Sequence, residues 1–207
     1  MAYGNFRTAN VFKIGATNTP QPLFGSWVTA GTGFTAPSNT PLTLTLGTAQ
    51  NAGNDAAQIF IPGEAAWLID PNGANGEAVI IKSISGNTVT LGQQTLVNAA
   101  GQTGIVTANA HVTGALGTGT FIIPKQILNN FIVTFEDGGT GTFLYIGNSP
   151  AMTAILHRIF KLAKTASGVQ PQYYAAGMFS PGNVFDASGL WVYGTANDLY
   201  NVAMCVE

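Results

Sequence analysis

Short runs in which apolar and polar residues alternate recur along the chain, with Gly, Pro and Asn between them. Leu42 to Leu46 alternates strictly, so that Thr43 and Thr45 fall on one face of an extended chain and Leu44 on the other. Ala66 to Ile69 precedes a Pro- and Gly-containing turn in the same way. A period of two residues between turn signals is typical of β-strands. The pattern predicts an all-β fold.

Two hairpins are predicted from this pattern. Ala78 to Ile84 and Thr88 to Leu91 flank Gly86-Asn87, and both turn residues tolerate positive φ, which predicts a tight hairpin. Phe131 to Phe135 and Thr142 to Ile146 flank a glycine-rich link, which predicts a second one.

One segment fits a helix as well as a strand. Apolar residues follow Ser149-Pro150 at helical spacing, at Met152, Ile155, Leu156, Ile159 and Leu162. Ser149 suits the N-cap of a short helix and Pro150 its first position. The alternative is a strand through His157 to Leu162.

The segments most rich in Gly, Asn and Thr divide the predicted strands into two groups. They lie near residues 31–41 and 113–120. Short strands at regular spacing indicate a sandwich or a barrel. We therefore expect a β-sandwich of jelly-roll type formed by residues 1–41 and 117–207, a small β-barrel inserted or adjoining at 42–116, and at most one short helix.

Charge is scarce. Charged residues make up 8% of the chain and the net charge is -2, against about 25% charged residues in an average protein. Ile14 to Asn54 carries no charge, and neither does Ser83 to Pro124 apart from His111. Either hydroxyl and amide groups alone keep these surfaces in solution, or an assembly covers them. On the second interpretation, Thr43 and Thr45 mark a candidate interface strand.

The compartment is constrained by the cysteine count and by the absence of long apolar runs. Cys205 is the single cysteine, so no intrachain disulfide can form, and folding in a reducing cytoplasm is expected. No run approaches the roughly 20 apolar residues that span a bilayer, and the first residues lack the apolar core of a signal peptide. The low net charge argues against a nucleic-acid partner.

No arrangement of residues typical of catalysis or metal binding is found. His111 and His157 are not spaced with acids or cysteines as metal ligands are. The carboxylates, Asp70 among them, fall mainly at turn positions where Asp and Glu are ordinary. We predict no enzymatic activity, no cofactor and no metal.

Two groups of side chains have alternative interpretations. Trp27, Trp67 and Trp191 could stack on sugars, although core packing is the simpler interpretation. Three of the seven basic residues lie close together, at Arg158, Lys161 and Lys164. These basic residues are either a solvated stripe or a docking patch for an acidic neighbour.

The run "VIIKSISGNTVTLGQQTL", followed by "ANAHVTGA", resembles a small β-barrel pattern of tailed-bacteriophage virion proteins, and "SGLWVYGTANDLYNVAM" resembles the closing part of such proteins. The resemblance covers about residues 58 to 116 and 185 to 205. It implies a virion component without catalytic residues, and we expect a capsid decoration or cement protein. Such a protein would be assembled in the host cytoplasm, lie on the capsid exterior, and have the major capsid protein and itself, as a homotrimer, for partners. The alternatives are a tail or fibre-base component and a host-surface carbohydrate-binding module.

Overall fold

The fold is described by a computed structural model. It covers residues 5–31, 38–47, 56, 59–70, 75–93, 95–98, 100–114, 119–125, 127–136, 140–149, 151–160, 172–176, 185–186 and 189–206. These residues contain strands and turns and no α-helix, which confirms the all-β prediction. The strands are β1 (Asn5–Lys13), β2 (Gln21–Pro22), β3 (Ser26–Gly31), β4 (Thr43–Leu46), β5 (Ala65–Ile69), β6 (Glu77–Ser85), β7 (Thr88–Gly92), β8 (Leu96–Val97), β9 (Thr103–Ile105), β10 (Phe121–Pro124), β11 (Ile127–Glu136), β12 (Phe143–Gly147), β13 (Ile155–Phe160), β14 (Gln172–Ala176), β15 (Phe185–Asp186), β16 (Trp191–Tyr193) and β17 (Leu199–Val206).

The chain forms two compact units. The first contains Met1–Phe24, Ala49–Ala52 and Gln126–Glu207, and the second contains Gly25–Thr48 and Gly53–Lys125. The second unit extends beyond the predicted 42–116 on both sides, because β3 and β10 are needed to close its barrel. Both strands lie among the residues predicted to form the sandwich, 1–41 and 117–207.

The first unit is a sandwich of two antiparallel sheets. One sheet has the order β1-β17-β11-β14, with β15 also paired to β11, and the other has the order β13-β12-β16-β2. A buried polar contact joins the two sheets: the Tyr200 hydroxyl on β17 donates to the carbonyl of Leu23 at 3.0 Å, and Gln21 Nε2 on β2 donates to Tyr200 Oη at 3.2 Å. Gln21 also donates to the carbonyl of Lys13 at 3.0 Å. These bonds satisfy polar groups that would otherwise be costly to bury.

The second unit is a closed barrel with the strand order β10-β3-β4-β7-β6-β5, in which β10 pairs with both β3 and β5. Alternate residues of β4, β5, β6 and β7 are buried, as the two-residue period requires. Inward side chains include Leu44, Leu68, Val79 and Val89, all at 0% exposure. A separate two-stranded hairpin joins β8 to β9.

The first predicted hairpin is confirmed. β6 pairs with β7, with Ser85 opposite Thr88 and Gly86-Asn87 between them. Gly86 has a φ of 55°, and no non-Gly residue of this turn has positive φ. Positive φ at the first central position alone is the requirement of a type II′ turn, which favours glycine there.

The second predicted hairpin is wrong. β11 pairs with β14, β15 and β17, whereas β12 pairs with β13 and β16, so the two strands belong to different sheets. The chain therefore passes from one sheet to the other between β11 and β12. A glycine-rich composition is compatible with either kind of connection, which is why the local pattern could not separate them.

The predicted helix after Ser149-Pro150 is also wrong. The segment forms β13, with Leu144 opposite Ile159 and Tyr145 opposite Arg158 on β12. Met152 has a φ of 49°, and the side chain of Asn148 accepts the N–H of Ala154 at 3.0 Å, which turns the chain into the strand. The alternative strand interpretation holds for the residues up to Phe160, and Lys161 to Leu162 lie outside the described residues.

Candidate interaction surfaces and the His111 cluster

His111, Asp70 and Glu77 form a buried ionic cluster in the second unit. Asp70 follows β5, Glu77 opens β6, and His111 comes from the segment after β9. His111 Nδ1 lies 3.0 Å from Asp70 Oδ1, and His111 Nε2 lies 2.6 Å from Glu77 Oε1. The histidine side chain is 0% exposed, against 17% for Asp70 and 6% for Glu77.

The two carboxylates favour the charged form of His111. Burial by itself lowers the pKa of His111, but the hydrogen bonds to Glu77 and Asp70 and the charges of both carboxylates outweigh burial and raise the pKa above its ordinary value. An ionised carboxylate only accepts hydrogen bonds, so a ring nitrogen that faces one has to donate. When His111 is protonated, both of its ring nitrogens can donate, one to each carboxylate.

The surrounding hydrogen bonds make this cluster a structural clasp. Glu77 Oε2 accepts the N–H of Ala108 at 2.5 Å, and Asn75 Nδ2 donates to Asp70 Oδ2 at 2.6 Å. Thr120 Oγ1 lies 3.2 Å from Asp70 Oδ1 and 2.9 Å from the carbonyl of Val112. The segment around His111 is thereby tied to β5 and β6. Because both ring nitrogens are engaged, His111 has no nitrogen with which to take a proton from a substrate.

A metal site is not found in the described part of the chain. No group of three or more His, Cys, Asp or Glu side chains there has the arrangement that holds a metal ion.

The second unit also contains an open cavity of about 570 Å³. It is lined by Asn39, Asn98, Gly101, Gln102, Thr103 and Ile105. None of these residues titrates near neutral pH. The described ranges also contain no helix long and apolar enough to span a bilayer.

The tryptophans do not form a sugar-stacking platform. Trp27 is 7% exposed and Trp191 is 2% exposed. Trp67 is partly exposed, but the Lys125 ammonium lies over its ring, 4.9 Å from the centroid. A stacking platform needs an open ring face, and these positions favour the core-packing interpretation.

The first unit carries a cluster that we call the aromatic–arginine patch. It is formed by Arg158, Phe143, Tyr145 and Tyr193. Tyr145 on β12 lies opposite Arg158 on the neighbouring strand β13 and opposite Tyr193 on the other neighbour, β16. The two tyrosine rings stack with centroids 4.8 Å apart and planes at 18°. The exposed Arg158 places its Cζ 4.3 Å from the Phe143 ring centroid and 5.4 Å from that of Tyr145.

The patch lies on the outward side of its sheet. Leu144 and Ile146 alternate with the patch residues on β12 and are buried, as is Val192 on β16. Leu156, two residues before Arg158, is 45% exposed. Of the predicted basic group, Arg158 is placed among aromatic rings, and Lys161 and Lys164 lie outside the described residues.

The candidate interface strand is β4 of the barrel. Thr43 and Thr45 are exposed, whereas Leu44 and Leu46 are buried, as the alternation predicted. Thr43 lies opposite Thr90 and Thr45 opposite Thr88 on the neighbouring strand. The two threonines therefore belong to a larger face with hydroxyl side chains.

The His111 cluster was not predicted. His111 lies 41 residues from Asp70 and 34 from Glu77 along the chain, so no local spacing connects them. A usable signal was the scarcity of charge: His111 is the one ionisable residue between Ser83 and Pro124. An ionisable group so isolated in sequence needs partners from elsewhere if it is buried.

Comparisons with known proteins give weak structural similarities. No family model and no curated protein matches this chain. The chain is similar to VP17, a capsid protein of bacteriophage P23-77, with a TM-score of 0.24 and 13% identity over 100% of this chain and 90% of that one. It is also similar to the complex of VP16 and VP17, the two major capsid proteins of that phage, with a TM-score of 0.24 and 14% identity over 99% and 89%. Similarities of this size establish neither a shared fold nor a shared role.

Proposed function

We propose that this chain is a structural protein of a bacteriophage virion, which decorates a capsid and stabilises it by binding between major capsid subunits. It acts as a homotrimer on the capsid exterior, it is not an enzyme, and it uses no cofactor. The observation that carries the proposal is the aromatic–arginine patch on an otherwise weakly charged protein. The resemblance of the 58 to 116 and 185 to 205 segments to virion proteins supports the same class.

The chemistry of the patch suits a protein partner. Tyr and Arg are enriched among the residues that contribute most to protein interfaces. An arginine stacked on aromatic rings is held in position, and its planar guanidinium matches the geometry of a carboxylate. The exposed Leu156 adds apolar area beside it. The expected partner surface presents a carboxylate next to apolar side chains.

The mechanism of stabilisation is mechanical. Each subunit contributes modest contacts, which an oligomer multiplies because several copies bind the same shell. The buried Tyr200–Gln21 contact and the His111 clasp stiffen the two units internally. A rigid subunit loses less conformational entropy on binding than a loose one.

A tail or fibre-base component is the alternative within virions, and a carbohydrate-binding module is the alternative outside that class. The positions of Trp27, Trp67 and Trp191 speak against the sugar module. The number of copies per particle distinguishes the two virion roles, because a shell component is present in many more copies than a tail component.

The test is binding to phage particles that lack the protein. We expect Arg158→Glu to lower the affinity roughly thirtyfold, equivalent to about 2 kcal/mol, as loss of an interface hot spot does. Lys125→Glu is the matched control, with the same charge change on an exposed residue of the barrel unit, and it should bind as the wild type does. Equal binding by Arg158→Glu and the wild type would contradict the proposed contact, and failure of the wild type to bind any particle would contradict the function.

A further inference from the structure

The loop between β5 and β6 contains both Asn-Gly pairs of the sequence, Asn72-Gly73 and Asn75-Gly76. The first pair lies outside the described residues. In the second pair both residues are exposed, and Asn75 Nδ2 donates to Asp70 Oδ2 at 2.6 Å. Asp70 Oδ1 lies 3.0 Å from His111 Nδ1, so this Asn-Gly pair is in direct contact with the His111 clasp.

An Asn-Gly pair is chemically reactive because glycine has no side chain. The backbone nitrogen of the glycine can approach Cγ of the asparagine before it, an approach that a Cβ would obstruct, and the glycine backbone reaches conformations closed to other residues. Gly76 comes directly before β6 and outside its pairing with β5. Within the described residues, the N–H of Gly76 makes no hydrogen bond. Its nitrogen can therefore react without first breaking one.

We propose that Asn75-Gly76 is a site of spontaneous deamidation, and that the modified residue opens the His111 clasp. The nitrogen of Gly76 gives up its proton and bonds to Cγ of Asn75, while the bond from Cγ to Nδ2 breaks. The amide nitrogen leaves as ammonia with that proton, and a cyclic succinimide remains. Water then opens the ring at either carbonyl, and its hydroxyl goes to the carbonyl carbon and its proton to the nitrogen. The products are aspartate and isoaspartate at position 75.

Both products disturb the groups that hold His111. Neither keeps the amide N–H that Asp70 accepts, and each carries a carboxylate close to that of Asp70, where like charges disfavour each other. Isoaspartate also adds one atom to the main chain just before β6 begins. Glu77 opens that strand opposite Leu68, and its side chain lies 2.6 Å from His111 Nε2. A shift of the main chain there moves the second carboxylate of the clasp as well.

Peptide mass spectrometry of the aged protein tests the reaction on the purified chain, independently of the proposed virion role. An Asn72→Gln background leaves Asn75-Gly76 as the one Asn-Gly pair of the sequence. Asn39 is the internal control, since it is exposed but is followed by Thr40, whose N–H donates a hydrogen bond. We expect Asn75 to lose its amide roughly tenfold faster than Asn39, equivalent to about 1.4 kcal/mol in activation free energy, with isoaspartate among the products. Equal rates at the two positions would overturn the proposal.

A charge variant tests the consequence for the clasp. Asn75→Asp introduces the carboxylate without changing the main chain, whereas Asn75→Ser removes the amide and adds no charge. At neutral pH we expect the Asn75→Asp protein to unfold several degrees below the Asn75→Ser protein, because it alone places a further negative charge beside Asp70. Equal unfolding temperatures for the two variants would overturn the opening of the clasp, whatever the rate of the reaction.

Discussion

The buried carboxylate of Asp198 occupies the space in which a side chain at Gly141 would have to lie. Asp198 is 0% exposed, and its Oδ1 accepts the N–H of Gly141 at 2.9 Å while its Oδ2 accepts the N–H of Thr195 at 3.1 Å. A Cβ on residue 141 would overlap Oδ2 of Asp198 and lie 2.9 Å from Oγ1 of Thr195. The glycine is therefore required by the buried carboxylate rather than by its own backbone angle.

We predict that Gly141→Ala lowers the free energy of unfolding by about 1 to 3 kcal/mol, the usual cost of overfilling a well-packed site. Gly189→Ala is the control, since nothing lies within 4 Å of the added methyl group. It should change stability by less than about 0.5 kcal/mol. Denaturant titration measures both, and equal stabilities of the two variants would contradict the account of Asp198.

The turn between β6 and β7 gives a second prediction. Gly86 has positive φ, and no atom lies within 4 Å of the position that an added Cβ would take, so a substitution there meets conformational strain and no collision. We expect Gly86→Val to cost about 1 to 2 kcal/mol. Gly86→Asn should cost less, because asparagine tolerates positive φ. Thermal unfolding compares the two, and an unchanged melting temperature for Gly86→Val would argue against this turn.

The fold was predictable where the signal was local. The Gly86-Asn87 hairpin and the alternation of β4 each depend on a few adjacent residues. The pairing of β11 and β12 with strands of different sheets depends on distant segments, so the second hairpin was predicted wrongly. The apolar spacing at Ile155, Leu156 and Ile159 fits both a helix and a strand, and pairing with β12 decides for the strand.

The contact between the two sheets of the sandwich gives a third prediction. The Tyr200 hydroxyl is fully buried and bonds to Leu23 and Gln21, and burial raises the pKa of Tyr200 well above its ordinary value. Tyr200→Phe removes one hydrogen bond from Leu23 and one from Gln21. We expect the free energy of unfolding to fall by about 1 to 2 kcal/mol. Tyr193→Phe is the matched control. Its hydroxyl makes no hydrogen bond within the described residues, so the change should be nearly neutral; equal losses would contradict the role of Tyr200.

The His111 clasp gives a prediction for pH. The pKa of His111 is higher in the folded protein than the ordinary value of about 6.5. The folded state therefore binds the proton more tightly, and this contribution to stability is fully present below about pH 6.5 and is lost as the pH rises through the folded pKa. The stability difference between the wild type and His111→Gln should shrink as the pH is raised from about 5.5 to about 8.5. Denaturant titrations across that range measure it, and a difference that grows with pH would contradict the stabilisation of protonated His111 by the two carboxylates.

The central claim is that this protein is a component of a virion shell, and the composition of intact particles tests it most directly. Quantitative mass spectrometry of purified particles, together with a cryo-EM map, gives the copy number and the position of the protein. The account predicts a fixed ratio to the major capsid protein, with the chain on the outside of the shell and between capsid subunits at each repeat. A protein confined to a few copies at the tail, or absent from purified particles, would contradict it.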